Sequence, residues 1–179
     1  MTLIVLLAVV SAVYVISVAQ IGGIIAGFQT FGLLFVGGHA IFISLGLLMY
    51  EGRRWRFFFQ SVLFAILIIP SYGIGTPFDV LARLPIIIST LFADAIFNSL
   101  YLFFKSRNRL LIWAMLVATI YWLMNPFFVA FNMFLFYPPQ LLNAYVTATI
   151  FLSPVIVIES LIGGYFGYKI YLRANKIRQ

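Results

Sequence analysis

The chain holds four acidic residues, Glu51, Asp79, Asp94 and Glu159, and two of them stand inside long apolar runs. Asp94 lies 11 residues from both Arg83 and Lys105, about 16 Å of helix from either. Glu159 stands ten residues before Lys169, at a similar depth. A charge at the middle of a membrane costs roughly 2.5–3.5 kcal/mol on insertion scales, so each carboxyl needs a proton, a partner or a watery cavity. Asn98 follows Asp94 by four residues and shares its helix face. Ser153, Pro154 and Ser160 flank Glu159. Two readings stand open: a polar ligand pocket inside a helical bundle, or carboxyls that join neighbouring helices through Asn, Ser and Tyr.

Arg83 has Asp79 four residues before it. Either the two pair with each other, or Arg83 meets an anionic substrate group. Further on, Trp122, Asn125, Phe128 and Asn132 recur at spacings of three and four, mixing flat rings with amides on one helical stripe. That mixture suits stacking and hydrogen bonding of a planar heterocycle, and it equally suits ordinary packing around a proline.

The marks of membrane enzymes are missing from the sequence. There is no HExxH, no GxSxG and no aspartate cluster of the phosphotransferase type. The single histidine, His39, can supply neither paired haem ligands nor a histidine metal cluster, and it reads as a packing or interfacial residue. With no cysteine, thiolate metal sites and iron–sulfur ligation are excluded. The expectation is a protein without catalytic residues, metal or cofactor.

Composition says which elements must position these groups. The 179 residues are 64% hydrophobic and 8% charged, against about 45–50% and 25% in a soluble domain, so the chain cannot clothe itself in water. A soluble enzyme, a nucleic-acid binder and a disordered tail are excluded. At about 20 residues per span, the reading is a single domain over residues 1–179, an all-α membrane protein built as a bundle of six transmembrane helices. The spans run over about 2–21, a glycine-rich stretch from Gly22 leading to a span that ends at Tyr50, then 57–71, 84–104, 110–136 with an interruption at Asn125-Pro126, and 143–168 after the stop at Pro138-Pro139. Met1-Thr2-Leu3 carries no basic n-region, so the first run is expected to be an uncleaved span. Gly23/Gly27 and Gly163/Gly167 read as close helix packing, and Trp55, Tyr50 and Tyr101 as an interfacial belt.

The net charge of +7 would suggest nucleic acid if it formed a patch on a soluble fold. Instead, 10 of the 11 basic residues fall in three segments, 51–56, 105–109 and 169–179. Six helices put all three on one side, which the positive-inside rule makes the cytoplasm. Both termini are then cytoplasmic, and Arg83 is the one basic residue on the outer side.

Several segments carry a family resemblance. Ala8-Val9-Val10-Ser11-Ala12 is similar to a small-xxx-small motif on a first helix, Pro77 to Pro85 with Asp79 and Arg83 resembles a third loop, and Pro154 to Tyr168 with Glu159 and its glycines resembles a last helix. With the length, the six helices and the basic C-terminus, the chain resembles the substrate-binding S component of an energy-coupling factor (ECF) vitamin transporter. The resemblance implies a multi-pass subunit of the cell membrane that captures a small vitamin-like nutrient from outside. It implies that Ala8 and Ala12 dock a transmembrane coupling subunit, and that separate ATPase subunits supply the energy, since this chain has no P-loop. It also implies a pocket near the outer side built from Asp79, Arg83, Asp94, Asn98, Asn132, Tyr137, Asn143 and Glu159, with the glycine-rich stretch as loop one; Trp122 joins this set from its place on the aromatic stripe. The glycine-rich signature of biotin binders and the Met-His terminus of cobalt and nickel binders are absent, and no riboflavin or thiamine pattern matches. The alternative is a non-catalytic structural or assembly subunit of a larger membrane complex. A third possibility, an intramembrane enzyme, requires Asp94 and Glu159 to converge as an acid–base pair. A polar outward cavity bordered by Arg83 and the fifth span separates the first two readings.

Overall fold

A computed structural model describes the backbone over residues 1–25, 31–71 and 77–177, and side chains over 1–18, 35–71 and 77–176. Six α-helices follow one another: α1 (Thr2–Ile25), α2 (Phe31–Tyr50), α3 (Arg56–Leu67), α4 (Leu84–Ser106), α5 (Leu110–Phe136) and α6 (Pro139–Ile177), with a 3-10 turn at Leu81–Arg83 leading into α4. Among the described residues there is no strand. Three stretches are long and apolar enough to cross a membrane: Leu81–Ser106, Leu110–Phe136 and Pro139–Lys176.

Three boundaries differ from the sequence reading. The third element was expected over 57–71, but α3 has 12 residues, about 18 Å, short of the ≈ 30 Å hydrocarbon core. It stops at Leu67 because the chain tightens there into turns, with Ile69 N–H bonded to Ile66 O and Ser71 N–H to Ile68 O. The expected interruption at Asn125-Pro126 does not occur, and α5 runs through Pro126. The sixth helix is longer than expected, 39 residues with Pro154 inside. It begins at Pro139, where a proline is pre-organised for the first helical turn. Of the glycine-rich stretch, Gly27 lies outside the described residues.

Between α4 and α5 the chain reverses through a Schellman motif. Asn108 adopts φ 54°, a left-handed conformation that Asn tolerates. The Arg109 N–H reaches Phe104 O and the Asn108 N–H reaches Lys105 O, satisfying two end carbonyls.

α6 packs on α2 and α5, α4 on α3 and α5, and α1 on α2 and α3. In a bundle whose helices are apolar all round, close association depends on small residues that let backbones approach. Gly163 faces Gly37 and Ala40 of α2, Gly167 faces Ile41 and Ser44 one turn on, and Gly164 faces α5, where an added Cβ would lie 2.7 Å from Met115 Cα and 2.8 Å from Ala114 O. The Gly163/Gly167 pair is thus a packing device, as its spacing suggests.

Two expectations are corrected by burial. Ala8 and Ala12, read as a docking face for a coupling subunit, are covered by the chain's own bundle at 0% and 3% exposure. The outward face of α1 carries Val5, Leu6, Val9, Val10 and Val13 instead. Tyr50 and Tyr101 are fully buried, not interfacial: the Tyr50 hydroxyl donates to Gln60 Oε1 at 2.7 Å, and the Tyr101 ring packs edge-on against Trp113. Trp55 is exposed.

Gly164→Leu forces α6 away from the α5 backbone and is expected to cost about 1–3 kcal/mol, the usual range for overpacking. A lower thermal unfolding midpoint in lipid nanodiscs checks this, with Ile162→Leu on the exposed side of α6 as a control that leaves it unchanged.

Candidate functional site

The residues singled out from the sequence fall into four places. The first is the start of α3. The segment leading into it, Gly52-Arg53-Arg54-Trp55, offers no Ser, Thr, Asp or Asn to cap the first-turn N–H groups. Trp55 occupies the cap position in a left-handed conformation, φ 70°, with no side-chain cap of its own. Asp94 of α4 supplies it from outside: Oδ2 accepts from Trp55 N–H at 2.6 Å, and Oδ1 accepts from Phe57 N–H at 3.1 Å and Phe58 N–H at 3.4 Å. Asn98 Nδ2 donates to the same Oδ1 at 2.9 Å. Asp94 and Asn98 do share a face, and both are buried. The Asp94 carboxylate also complements the positive end of the α3 dipole. A pocket of about 240 Å³ lies beside them, lined in part by Arg54, Trp55 and Leu91.

The second place is the other end of α3. Arg83 is 2% exposed, and its guanidinium gathers carbonyls of the turns that follow α3: Nη2 donates to Ile68 O at 3.3 Å, Ile69 O at 3.4 Å and Ser71 O at 2.9 Å, while Nη1 donates to Asp79 O at 2.6 Å. Arg83 thus bonds Asp79 through the backbone carbonyl. The Asp79 carboxylate turns elsewhere, with Oδ1 accepting from Ala82 N–H at 3.1 Å and Oδ2 from the Tyr137 hydroxyl at 2.8 Å. Asn132 Nδ2 donates to Leu81 O at 3.1 Å. Asp79, Arg83, Asn132 and Tyr137 therefore come together in a network that ties the loop before α4 to the end of α5. Burial and the bond to Asp79 push the Tyr137 phenol up to about 12, so it remains a donor throughout the physiological range.

The third place is the α2–α6 seam, where Glu159 Oε2 accepts from Gly37 N–H at 3.2 Å. Glu159 and Asp94 are bonded to different helices and do not form an acid–base pair. The fourth is an aromatic cluster joining α2, α3 and α5. His39 stacks on Phe64 at 5.1 Å between centroids and meets Trp122 edge-on at 5.6 Å, with Phe35 and Tyr121 completing its surroundings. Its reading as a packing histidine agrees with this position. Asn143 joins none of these places and is exposed on the first turns of α6.

Trp122 also faces a cavity of about 500 Å³ between α5 and α6. Its α5 wall includes Pro126 and Phe127, and its α6 wall includes Tyr145, Thr149 and Ile150. The fifth span borders this cavity as expected, but Arg83 does not and the walls are apolar. Of the residues assigned to substrate from the sequence, Trp122 alone lines it. The α6 wall was missed, although a signal was present: Tyr145, Thr149 and Ser153 stand four apart, placing three hydroxyls on one face. No group of three or more metal-ligating side chains occurs among the described residues. In comparisons with known proteins, the chain matches no family model, no curated protein and no solved structure.

Asp94→Ala strands three N–H groups at the start of α3 and is expected to destabilise the fold by about 1–3 kcal/mol, with Asp94→Asn intermediate because its amide oxygen still accepts. Amide hydrogen exchange at 55–58 reads this directly. Arg83→Ala is expected to lose about 1.5–3 kcal/mol from charged hydrogen bonds, so folded yield falls along with any activity. Tyr137→Phe removes one bond, about 1 kcal/mol. Because the phenol's folded value lies above its ordinary one, that contribution is complete below about pH 10 and is lost as pH rises through about 12. Alkaline unfolding of wild type and Tyr137→Phe should therefore converge above that point.

Proposed function

We propose that the chain is a substrate-binding integral membrane subunit of the ECF type: six spans with both termini in the cytoplasm, taking up a small nutrient from the outer side and delivering it through a separate coupling subunit and ATPase pair. The observation that carries the reading is the α5–α6 cavity, whose volume lies in the range of small-molecule sites, ≈ 300–1,000 Å³. The distribution of basic residues over three segments on one side of the bundle supports the orientation. On this reading the residues at the ends of α3 hold the frame, and ligand recognition shifts to Trp122 and the facing wall of α6. A coupling subunit meets an exposed face, because the Ala8/Ala12 face is already covered.

The structural-subunit reading draws on a different observation. Asp94, Arg83, Asn132, Tyr137 and Glu159 all bond within the chain, as polar groups do when they hold helices together.

Native mass spectrometry of the protein released gently from its own membranes separates the two. A bound small molecule that disappears when Ala130→Trp fills the cavity is the expected result. A ligand-free complex with unrelated membrane subunits overturns the transport reading. Orientation is checked independently. The chain has no cysteine, so single cysteines placed at Arg107 or Arg173 should react with an impermeant maleimide only from the cytoplasmic side, and one at Pro138 only from outside.

A further inference from the structure

The segment entering α3 brings an arginine deep beside α4. Trp55 N–H bonds Asp94, so its neighbour Arg54 stands level with the middle of α4. Asp94 is 11 residues from Lys105, about 16 Å of helix. Arg54 is exposed, and its side chain has no hydrogen bond, ion pair or ring contact among the described residues. Cations nearer the basic end differ. Lys105 lies over Tyr101 at 5.7 Å, Arg107 over Phe103 at 3.9 Å and Lys169 over Tyr165 at 5.3 Å, ring faces that attract a cation. An exposed cation at the depth of Arg54 is costly unless an anion meets it or the bilayer thins toward it. The 12-residue α3 favours such thinning, because it is shorter than the hydrocarbon core.

Arg54 also lines the pocket of about 240 Å³ beside Asp94. Its other walls include Trp55, Leu91, Ala95 and Ser99, all exposed, so the pocket opens sideways from the bundle toward lipid. Asp94 forms its buried end, and four donors meet that carboxylate, from Trp55, Phe57, Phe58 and Asn98. Leu91, Ala95 and Ser99 stand four apart and make one stripe along α4. The stripe is hydroxylic toward Lys105 and apolar away from it.

We propose that this pocket seats the phosphate of an acidic phospholipid, with Arg54 as its counter-charge and an acyl chain laid along Ala95 and Leu91. The unpaired cation calls for an anion, and the sideways opening makes a lipid the anion that can reach it. Trp55 suits the glycerol level, where tryptophan is enriched. A zwitterionic lipid adds an ammonium group, for which the already bonded Asp94 has little to offer. The proposal requires that α4 cross the membrane, and it is the same for a transport subunit and for a structural one.

Native mass spectrometry tests it on the full chain, stripped of lipid in mild detergent and returned to equal amounts of phosphatidylglycerol and phosphatidylethanolamine. The expected result is one phosphatidylglycerol retained in preference by about 5-fold, the worth of one cation near a membrane surface. Arg54→Gln and Ala95→Trp should each bring the two lipids to parity. Lys176→Gln, in the last turn of α6, should leave the preference intact. Equal retention of the two lipids by the wild type overturns the proposal, and so does a preference that survives Arg54→Gln or Ala95→Trp. A preference that Lys176→Gln lowers as much as Arg54→Gln marks a diffuse basic surface and also overturns it. Displacement of the phosphatidylglycerol by millimolar inorganic phosphate reassigns the pocket to a free anion. Arg54 bonds nothing in the fold, so its variant is expected to fold, and the wild-type comparison holds even if Ala95→Trp does not.

Discussion

α3 is a short helix whose start has no cap of its own and whose end runs into tight turns, and the fold depends on how α4 and the turn before it bond both. Arg83 and Asp94 are 11 residues apart, about 16 Å along a helix, which nearly equals the length of the 12-residue α3. Because the two helices run antiparallel, the cation reaches the carbonyl end of α3 and the anion its amide end, each complementing the local end of the dipole. A buried arginine and a buried aspartate, each unfavourable alone in apolar surroundings, are stabilised by main-chain carbonyls and N–H groups at the two ends of α3. That arrangement lets a helix of only 12 residues stand within an apolar bundle. Its ends are satisfied by protein and need no water.

The same arrangement shows how far the sequence could be read. Helix number, the basic segments and the glycine packing were visible because apolar runs, punctuation and small-residue spacing are local properties. Asp94–Asn98 sharing a face followed from spacing, and Asp79, Arg83, Asn132 and Tyr137 do meet. What those residues bond was hidden. A carboxylate aimed at the N–H groups of Trp55, Phe57 and Phe58 is a contact across about 36–39 residues, and an arginine bonding main-chain carbonyls has no signature in side-chain types. Ala8 and Ala12 show the same limit, since small-xxx-small spacing identifies a close-packing face without saying whether its partner is another chain or the same one.

Polar residues inside an apolar bundle divide here into two kinds. Asp94, Arg83, Asn132, Tyr137 and Glu159 have partners supplied by the fold, so they rigidify it and offer little to a ligand. The Trp122 indole sits among the rings of Phe35, His39 and Tyr121, its Nε1–H buried with no acceptor among the described residues.

The prolines of α5 and α6 acquire a further meaning from the cavity between them. A proline inside a helix removes the bond to the carbonyl four residues earlier. Pro126 thereby releases Trp122 O and Pro154 releases Ile150 O, and both carbonyl-bearing residues line the cavity. The Ile150 carbonyl is taken up by the Ser153 hydroxyl, a swivelling contact in place of a main-chain bond. Closer to the basic tail, Gly163, Gly164 and Gly167 bring α6 into close contact with α2 and α5. The stretch of α6 beyond Pro154 is thus held by close backbone contacts, while the stretch along the cavity keeps a carbonyl that proline has freed and a side chain has taken.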